Sequence, residues 1–193
     1  MGLADVQDIL EFWFGPTDHP DYGQSRDFWF GKDAAFDLAL TTRFLTVYQQ
    51  AARHELMAWE NNPLSSLALT IVLDQFPRNL FRNTPEAFAT DPLALRVARH
   101  AIAQGFDAQV LPVQRWFFYL PFEHSESLTD QEMSLQLWER LQGDPNSKNA
   151  IHYAYRHWEV IARFGRFPHR NQILGRASTP DELGFLEEPG SHF

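Results

Sequence analysis

Apolar residues recur at helical spacing through most of this chain, and glycine or proline separates one periodic segment from the next. In residues 33–60, Phe36, Leu40, Phe44 and Val47 follow the 3.6-residue period of one buried helix face. Alternation of apolar and polar residues, the mark of a half-buried strand, is absent from the sequence. The pattern predicts an all-α fold, an antiparallel stack of six to eight helices joined by short loops.

Capping residues predict where these helices begin and end. Asp33 and the Thr179-x-x-Glu182 pair are typical of helix starts, and Gly165 is typical of a helix end. Pro112 and Pro121 bracket one short apolar segment. We expect helices at residues 4–14, 33–60, 64–76, 91–105, 113–120, 127–143 and 147–164, and a short one after Thr179. The length of 193 residues fits a single domain, 1–193.

The charge of the chain argues against some partners. Sixteen basic residues against 25 acidic ones give a formal net charge of −9, which disfavours binding to nucleic acid or to an anionic membrane. Only Lys32 and Lys148 are lysines, so the other basic residues are arginines. Arginine suits partly buried ion pairs and bidentate contacts with oxyanions.

The chain lacks the residues of several common sites and signals. There is no cysteine, which excludes disulfides, thiolate metal sites and a cysteine nucleophile. The first residues carry no basic start or small-residue cleavage site, and the densest apolar run, residues 64–73, is too short to span a membrane. We therefore expect a cytoplasmic protein.

An acidic residue ends the most apolar segment of the chain. Asp74 closes the run LALTIVLDQF, where a negative charge at a helix C-terminus opposes the helix dipole. Arg78 and Arg82 follow closely and could pair with it. Either Asp74 forms a helix-ending ion pair, or it holds an arginine that points into a cleft.

A second polar cluster follows Pro121. Glu123, His124 and Glu126 could perform acid–base chemistry or bind a divalent metal, although their spacing matches no known metal signature. Alternatively, the carboxylates pair with nearby arginines or cap the next helix. A ligand-binding loop is the third possibility.

The predicted helix 147–164 carries one narrow polar stripe. His152, Arg156, Glu159 and Arg163 lie within about 40° of one another at 100° per residue. The opposite side contains apolar residues, among them Ile151, Ala154, Tyr155, Trp158, Ile161 and Ala162. Such a stripe faces either solvent or a pocket.

The stripe leads into the densest cationic stretch of the chain. Arg163, Arg166, Arg170 and Arg176, together with His169, lie within residues 163–176. Because like charges repel, these guanidinium groups need partners. Internal carboxylates could supply them, and so could a bound carboxylate or phosphate.

Four blocks carry a resemblance to a known family. In order along the chain they are FWFG, LDQFPRNLFR, PFEHSE and RFPHRNQILGRASTPDELGFLEEPGSHF. Together they resemble a bacterial and fungal family known as domain-of-unknown-function family 924. The resemblance implies a tetratricopeptide-like helical fold and no established reaction, so it assigns no residue a role. The tetratricopeptide consensus at a 34-residue period is not found in this sequence.

Three functions remain open at this point. The first is binding of a small anionic ligand or an acidic peptide group in a cleft, for which the candidate residues are Asp74, Arg78, Arg82, His152, Arg163, Arg166, His169 and Arg170. The second is a hydrolase or isomerase in which His124 or His169 transfers a proton and Glu123 or Glu126 orients it. The third is a helical interaction scaffold. We expect no cofactor and no metal, and the oligomeric state is open.

Overall fold

The computed structural model describes residues 6–191, which contain nine α-helices and no strand. The predicted all-α class is therefore confirmed, and eight of the helices have seven residues or more. The predicted first residue of the first helix, Ala4, lies outside the described residues. The helices are α1 Val6–Phe14, α2 Ala34–Ala52, α3 Pro63–Asp74, α4 Phe76–Leu80, α5 Asp91–Ala103, α6 Pro112–Glu123, α7 Leu128–Glu139, α8 Lys148–Phe164 and α9 Pro180–Leu186.

Two helices, α3 and α6, form the centre of the molecule. Helix α3 packs against α1, α2, α5 and α6, and its residues 66–74 are all buried. In α6 only Pro112 and Arg115 escape burial. Successive helices then pack side by side, α5 on α6, α6 on α7 and α7 on α8. Polar residues at the C-terminal ends of α3 and α6 are therefore enclosed by neighbouring helices.

The repeated FWFG motif supplies the aromatic centre of the core. The rings of Trp13 and Trp29 stack with centroids 6.4 Å apart, and Trp29 Nε1 donates a hydrogen bond to the Trp13 carbonyl at 2.9 Å. Phe117 of α6 packs edge-on against both tryptophans. The two copies of the motif thus share one packing site, which explains their similar composition.

The predicted long helix 33–60 is wrong beyond Ala52. Asp33 caps it as predicted, accepting hydrogen bonds from the backbone of Ala35 and Phe36, but α2 ends at Ala52. His54 adopts a left-handed backbone with φ of 63°, which interrupts the helix. Residues beyond it form a separate 3₁₀ helix, Met57–Asn61.

The predicted segment 113–120 is too short, because α6 continues through Pro121 to Glu123. Pro121 removes one backbone donor, yet the next turn is intact, with the His124 N–H donating to the Leu120 carbonyl at 2.8 Å. The extension places Glu123 in the last turn and makes His124 the C-cap residue. This position brings His124 to the end of α3.

No helix within the part of the chain that the structure describes is long and apolar enough to cross a membrane.

Candidate functional site

The ends of several helices meet around one buried carboxylate. Asp74 is the last residue of α3, and His124 is the C-cap of α6. Arg78 lies on α4, Asp91 begins α5, and Arg170 ends a 3₁₀ turn after α8. We call these five residues the Asp74 cluster.

Asp74 is ionised and completely enclosed. Its Oδ1 lies 2.8 Å from His124 Nδ1 and 3.5 Å from Arg78 Nη1, and its Oδ2 accepts from Gln75 Nε2 at 2.6 Å. Burial opposes ionisation of this carboxyl. The attraction of Arg78 and of His124, which is protonated at the acidic pH where Asp74 titrates, together with the hydrogen bonds outweighs that effect and lowers the Asp74 pKa to about 2. The acid that opposes the α3 dipole is thus held by partners from α4 and α6.

His124 is held as a neutral imidazole. Burial and the neighbouring Arg78 charge lower the His124 pKa below its ordinary value, against the opposite effect of Asp74. Since Asp74 is an acceptor, His124 Nδ1 donates to it, and Nε2 carries the lone pair. Within residues 6–191, His124 Nε2 makes no hydrogen bond. It is therefore available as a proton acceptor.

The outer part of the cluster consists of two arginines on one carboxylate. Arg78 binds Asp91 in bidentate fashion at 2.8 and 3.1 Å, whereas Arg170 Nη1 lies 3.5 Å from Asp91 and 3.1 Å from the His124 carbonyl. The exposed fractions of the side chains are 20% for Arg78, 16% for Asp91, 13% for His124 and 8% for Arg170. This face of the cluster therefore reaches solvent.

Arg170 is the least satisfied charge in the cluster. Its guanidinium lies between two phenyl rings, 4.7 Å from the centroid of Phe88 and 4.5 Å from that of Phe167. Its Nε is buried and has no hydrogen-bond partner among the described residues. Burial, helped by repulsion from Arg78, lowers the Arg170 pKa to about 10 despite the attraction of Asp91.

The loop that carries Arg170 is fixed by a separate ion pair. We call residues 165–176 the strap; it begins at Gly165 and ends just after Gly175, both with left-handed backbones. Glu126 accepts from the Phe167 N–H at 2.8 Å and from Arg176 at 2.7 and 2.9 Å. Arg176 also donates to the Phe167 carbonyl at 3.1 Å. These contacts hold the Arg170 side chain against the cluster.

The model of a family described as a bacterial protein of unknown function, DUF924, matches residues 9–190. The chain belongs to the DUF924 family. This confirms the resemblance in the sequence motifs. A comparison with curated proteins finds no match.

A solved structure supports the fold of this DUF924 chain. It is the structure of a protein of unknown function from Agrobacterium tumefaciens, with a TM-score of 0.83 and 45% sequence identity. The match covers 94% of this chain and 96% of the other. The helical arrangement is therefore shared, while the tetratricopeptide likeness stays a prediction.

The structure brings only some of the predicted site residues together. Asp74, Arg78, His124 and Arg170 meet in the cluster. Arg82 instead binds Asp37 of α2 at 2.6 and 2.9 Å. This pair is a separate contact because Arg82 lies beyond the end of α4, next to the start of α2.

Two more predicted residues, Arg166 and His169, lie in the strap but outside the Asp74 cluster. Arg166 forms a bidentate pair with Glu182 of α9 at 2.5 and 2.8 Å. The ring of His169 packs against Phe167 with centroids 5.6 Å apart. Glu126, a predicted catalytic partner, holds the strap and does not orient His124; Asp74 does.

The predicted orientation of helix α8 is only partly correct. Its buried residues are Ala154, His157, Val160 and Ile161, while Tyr155 and Ala162 of the predicted apolar side are exposed. The helix is rotated because His157 points inward, where its Nδ1 contacts Glu123 Oε1 at 2.9 Å. Glu123, a predicted catalytic residue, is thus a buried partner of His157.

The polar stripe of α8 faces outward and lines a crevice against α9. His152 and Arg163 are exposed, and the guanidinium of Arg163 stacks 4.6 Å from the ring centroid of Phe164. Arg163 lines a crevice of about 260 Å³, and a second one of about 570 Å³ lies between α1 and the start of α3. Neither is lined by a residue of the Asp74 cluster.

Three residues around the site were missed at the level of sequence. Asp91 precedes a proline at the start of the predicted helix 91–105, and nothing in that pattern indicates that its carboxylate binds Arg78 and Arg170. His157 follows Ala154 by three positions and precedes Ile161 by four, so the helical period could have placed it inside. Nothing in the sequence indicated that Phe88 covers Arg170.

Metal binding has no support from side-chain positions in the described residues. No group of three histidine, aspartate or glutamate side chains there is arranged to hold an ion.

The low Asp74 pKa predicts how stability depends on pH. The unfolded carboxyl titrates near ~3.9, so its contribution is complete above about pH 4 and is lost as the pH falls toward 2. A shift of this size corresponds to about 2 kcal/mol. Urea unfolding of the wild type and of Asp74→Asn between pH 6 and pH 2 measures the difference. The two stability curves should converge at the acidic end; parallel curves contradict the assignment.

Proposed function

We propose that this DUF924 protein binds a small molecule through a carboxylate or phosphate group at the outer face of the Asp74 cluster, next to Arg78 and Arg170. The observation that carries the proposal is the state of Arg170. It is almost fully buried, its Nε has no partner in residues 6–191, and its nearest carboxylate oxygen is 3.5 Å away. That oxygen already belongs to the Arg78–Asp91 pair.

A buried guanidinium in this condition lowers stability. Taking a charge out of water costs free energy that close hydrogen-bonded partners must return. An added oxyanion would supply charge-assisted hydrogen bonds to Arg170, and bidentate binding to arginine suits both carboxylate and phosphate. Binding is therefore favoured at the point where the protein alone leaves a charge poorly compensated.

Two neighbouring ion pairs in the same fold have a different geometry from the Arg170 contact. Arg176 binds Glu126 at 2.7 and 2.9 Å, and Arg166 binds Glu182 at 2.5 and 2.8 Å. Both are short and bidentate. Arg170 differs from them in its long contact to Asp91, and this difference supports a role in ligand recognition over one in helix register.

Replacement of Arg170 by methionine tests the proposal. We expect sodium acetate or inorganic phosphate to raise the melting temperature of the wild type, since a ligand at a hundred times its Kd adds about 2.7 kcal/mol. Arg170→Met should lose this response while its own stability is unchanged or higher, because an apolar side chain of similar size suits a site between two phenyl rings. Differential scanning calorimetry measures both quantities.

Arg53→Met is the matched control, because Arg53 forms an exposed pair with Glu55 and should behave like the wild type. If Arg170→Met unfolds several degrees below the wild type and neither anion stabilises the wild type, the cluster is a structural network. The interaction scaffold would then be the better explanation.

A proton-transfer enzyme is the second candidate, and the Asp74–His124 pair favours it. An ionised carboxylate on Nδ1 fixes the tautomer of His124 and leaves Nε2 as a base beside two arginines that could stabilise negative charge. The hydrolase or isomerase considered from the sequence would use this pair. His124→Asn separates the two functions, since acetate binding should survive it and turnover should not.

A further inference from the structure

We infer that the ligand is a small zwitterion whose ammonium group sits on the carbon next to its carboxylate, as in an α-amino acid. This inference rests on the proposed function and narrows its ligand class. Three features of the site support it: the local balance of charge, the spacing of opposite charges at the surface, and the net charge of the whole chain.

Carboxylates and guanidinium groups lie side by side around the site. Asp74, Asp91 and Glu126 form ion pairs with Arg78, Arg170 and Arg176. A ligand carboxylate would improve the weak compensation of Arg170, but it would also bring negative charge next to Asp91 in a partly buried place, which is costly. An ammonium group on the same ligand offsets that cost and leaves the local net charge unchanged.

Opposite charges lie next to each other at the solvent-reaching face. Asp91 Oδ2 is 3.5 Å from Arg170 Nη1. The Asp91 side chain is 16% exposed and the Arg170 side chain is 8% exposed. A ligand carboxylate on Arg170 would therefore place an ammonium group on its adjacent carbon within reach of Asp91. In a ligand whose ammonium group is several carbons away from its carboxylate, the ammonium would lie beyond Asp91.

The immediate surroundings add an apolar surface. The ring of Phe88 lies under both arginines, 5.8 Å from the Arg78 guanidinium and 4.7 Å from that of Arg170. The ring is only partly buried, so the part that the guanidinium groups do not cover offers apolar contact to the rest of the ligand. The chain as a whole carries a net charge of −9, which repels multiply charged anions such as phosphate monoesters.

Isothermal titration calorimetry with three molecules of matched shape tests the ligand class. They are leucine, which has both charges, 4-methylpentanoate, which lacks the ammonium, and 3-methylbutylamine, which lacks the carboxylate. We expect the wild type to bind leucine about tenfold more tightly than 4-methylpentanoate, because one hydrogen-bonded ion pair is added at a partly buried carboxylate. The amine should bind more weakly than either.

Asp91→Asn provides the second arm. It removes the charge that the ammonium would meet but keeps an oxygen acceptor for Arg78, so 4-methylpentanoate should now bind at least as tightly as leucine. The ratio of the leucine affinity to the 4-methylpentanoate affinity is measured separately for the wild type and for the variant. A difference in stability between the two proteins therefore does not affect it. If Asp91→Asn does not fold, the preference of the wild type decides alone.

The outcomes separate this inference from the proposed function. Equal binding of leucine and 4-methylpentanoate by the wild type, or tighter binding of the amine, overturns the ligand class while carboxylate binding at Arg170 stands. Absence of binding by all three molecules and by acetate and phosphate overturns both.

Discussion

Replacement of Asp74 by alanine is expected to lower the free energy of unfolding by about 3–5 kcal/mol. The carboxylate is fully buried and serves His124, Arg78 and Gln75 at once. Without this carboxylate, the buried Arg78 guanidinium loses one of its two carboxylate partners, and the His124 Nδ1–H loses its hydrogen-bond acceptor. Urea unfolding at pH 7, followed by circular dichroism, measures the loss.

Glu55→Ala is the control for this prediction. Glu55 forms an equally short ion pair with Arg53, 2.7 Å, but at the exposed surface, where solvent replaces the lost contact. Its removal should leave the stability unchanged within error. A loss below about 1 kcal/mol for Asp74→Ala would mean that the cluster is far better solvated than its burial indicates.

Replacement of Phe167 by alanine should cost about 3–5 kcal/mol and also remove the response to acetate. Phe167 is completely buried, packs edge-on against His157 and lies beneath the Arg170 guanidinium. The cavity left by the ring lowers stability, and Arg170 loses one of the two surfaces that hold it. Calorimetric melting with and without acetate measures both effects.

Phe30 supplies a matched substitution at the surface. Its side chain is 62% exposed, so Phe30→Ala should change stability by less than about 0.5 kcal/mol and keep the acetate response. If Phe167→Ala loses stability but retains the full response to acetate, the ring supports the fold alone and Arg170 is positioned by other contacts.

Local signals were sufficient for most helix boundaries. The Asp33 cap and the left-handed Gly165 lie where predicted, and Thr179 with Glu182 forms both hydrogen bonds of a capping box. These features depend on residues a few positions apart. The error at Pro121 arises where packing in the folded chain overrides the local preference, since α6 continues through a proline in its buried part. The error at His54 arises from a left-handed backbone at an exposed residue, which the apolar spacing does not reveal.

The site was predicted only in part, because its ion pairs join residues that are far apart in the sequence. Composition and position marked Asp74, Arg78, His124 and Arg170 as unusual. The partner of a given arginine, however, depends on the fold: Asp91 and Arg170 are 79 positions apart, and Arg176 and Glu126 are 50 apart. With 25 acidic residues in the chain, sequence alone cannot select among such pairs.

The Nε–H signal of Arg170 in a ¹H–¹⁵N spectrum tests the central claim most directly, because it reports on the guanidinium that the ligand is proposed to contact. During titration with sodium acetate we expect this signal to shift and saturate, while the Arg53 signal stays in place. A stationary Arg170 signal at acetate concentrations that stabilise the protein would contradict a ligand site at the Asp74 cluster.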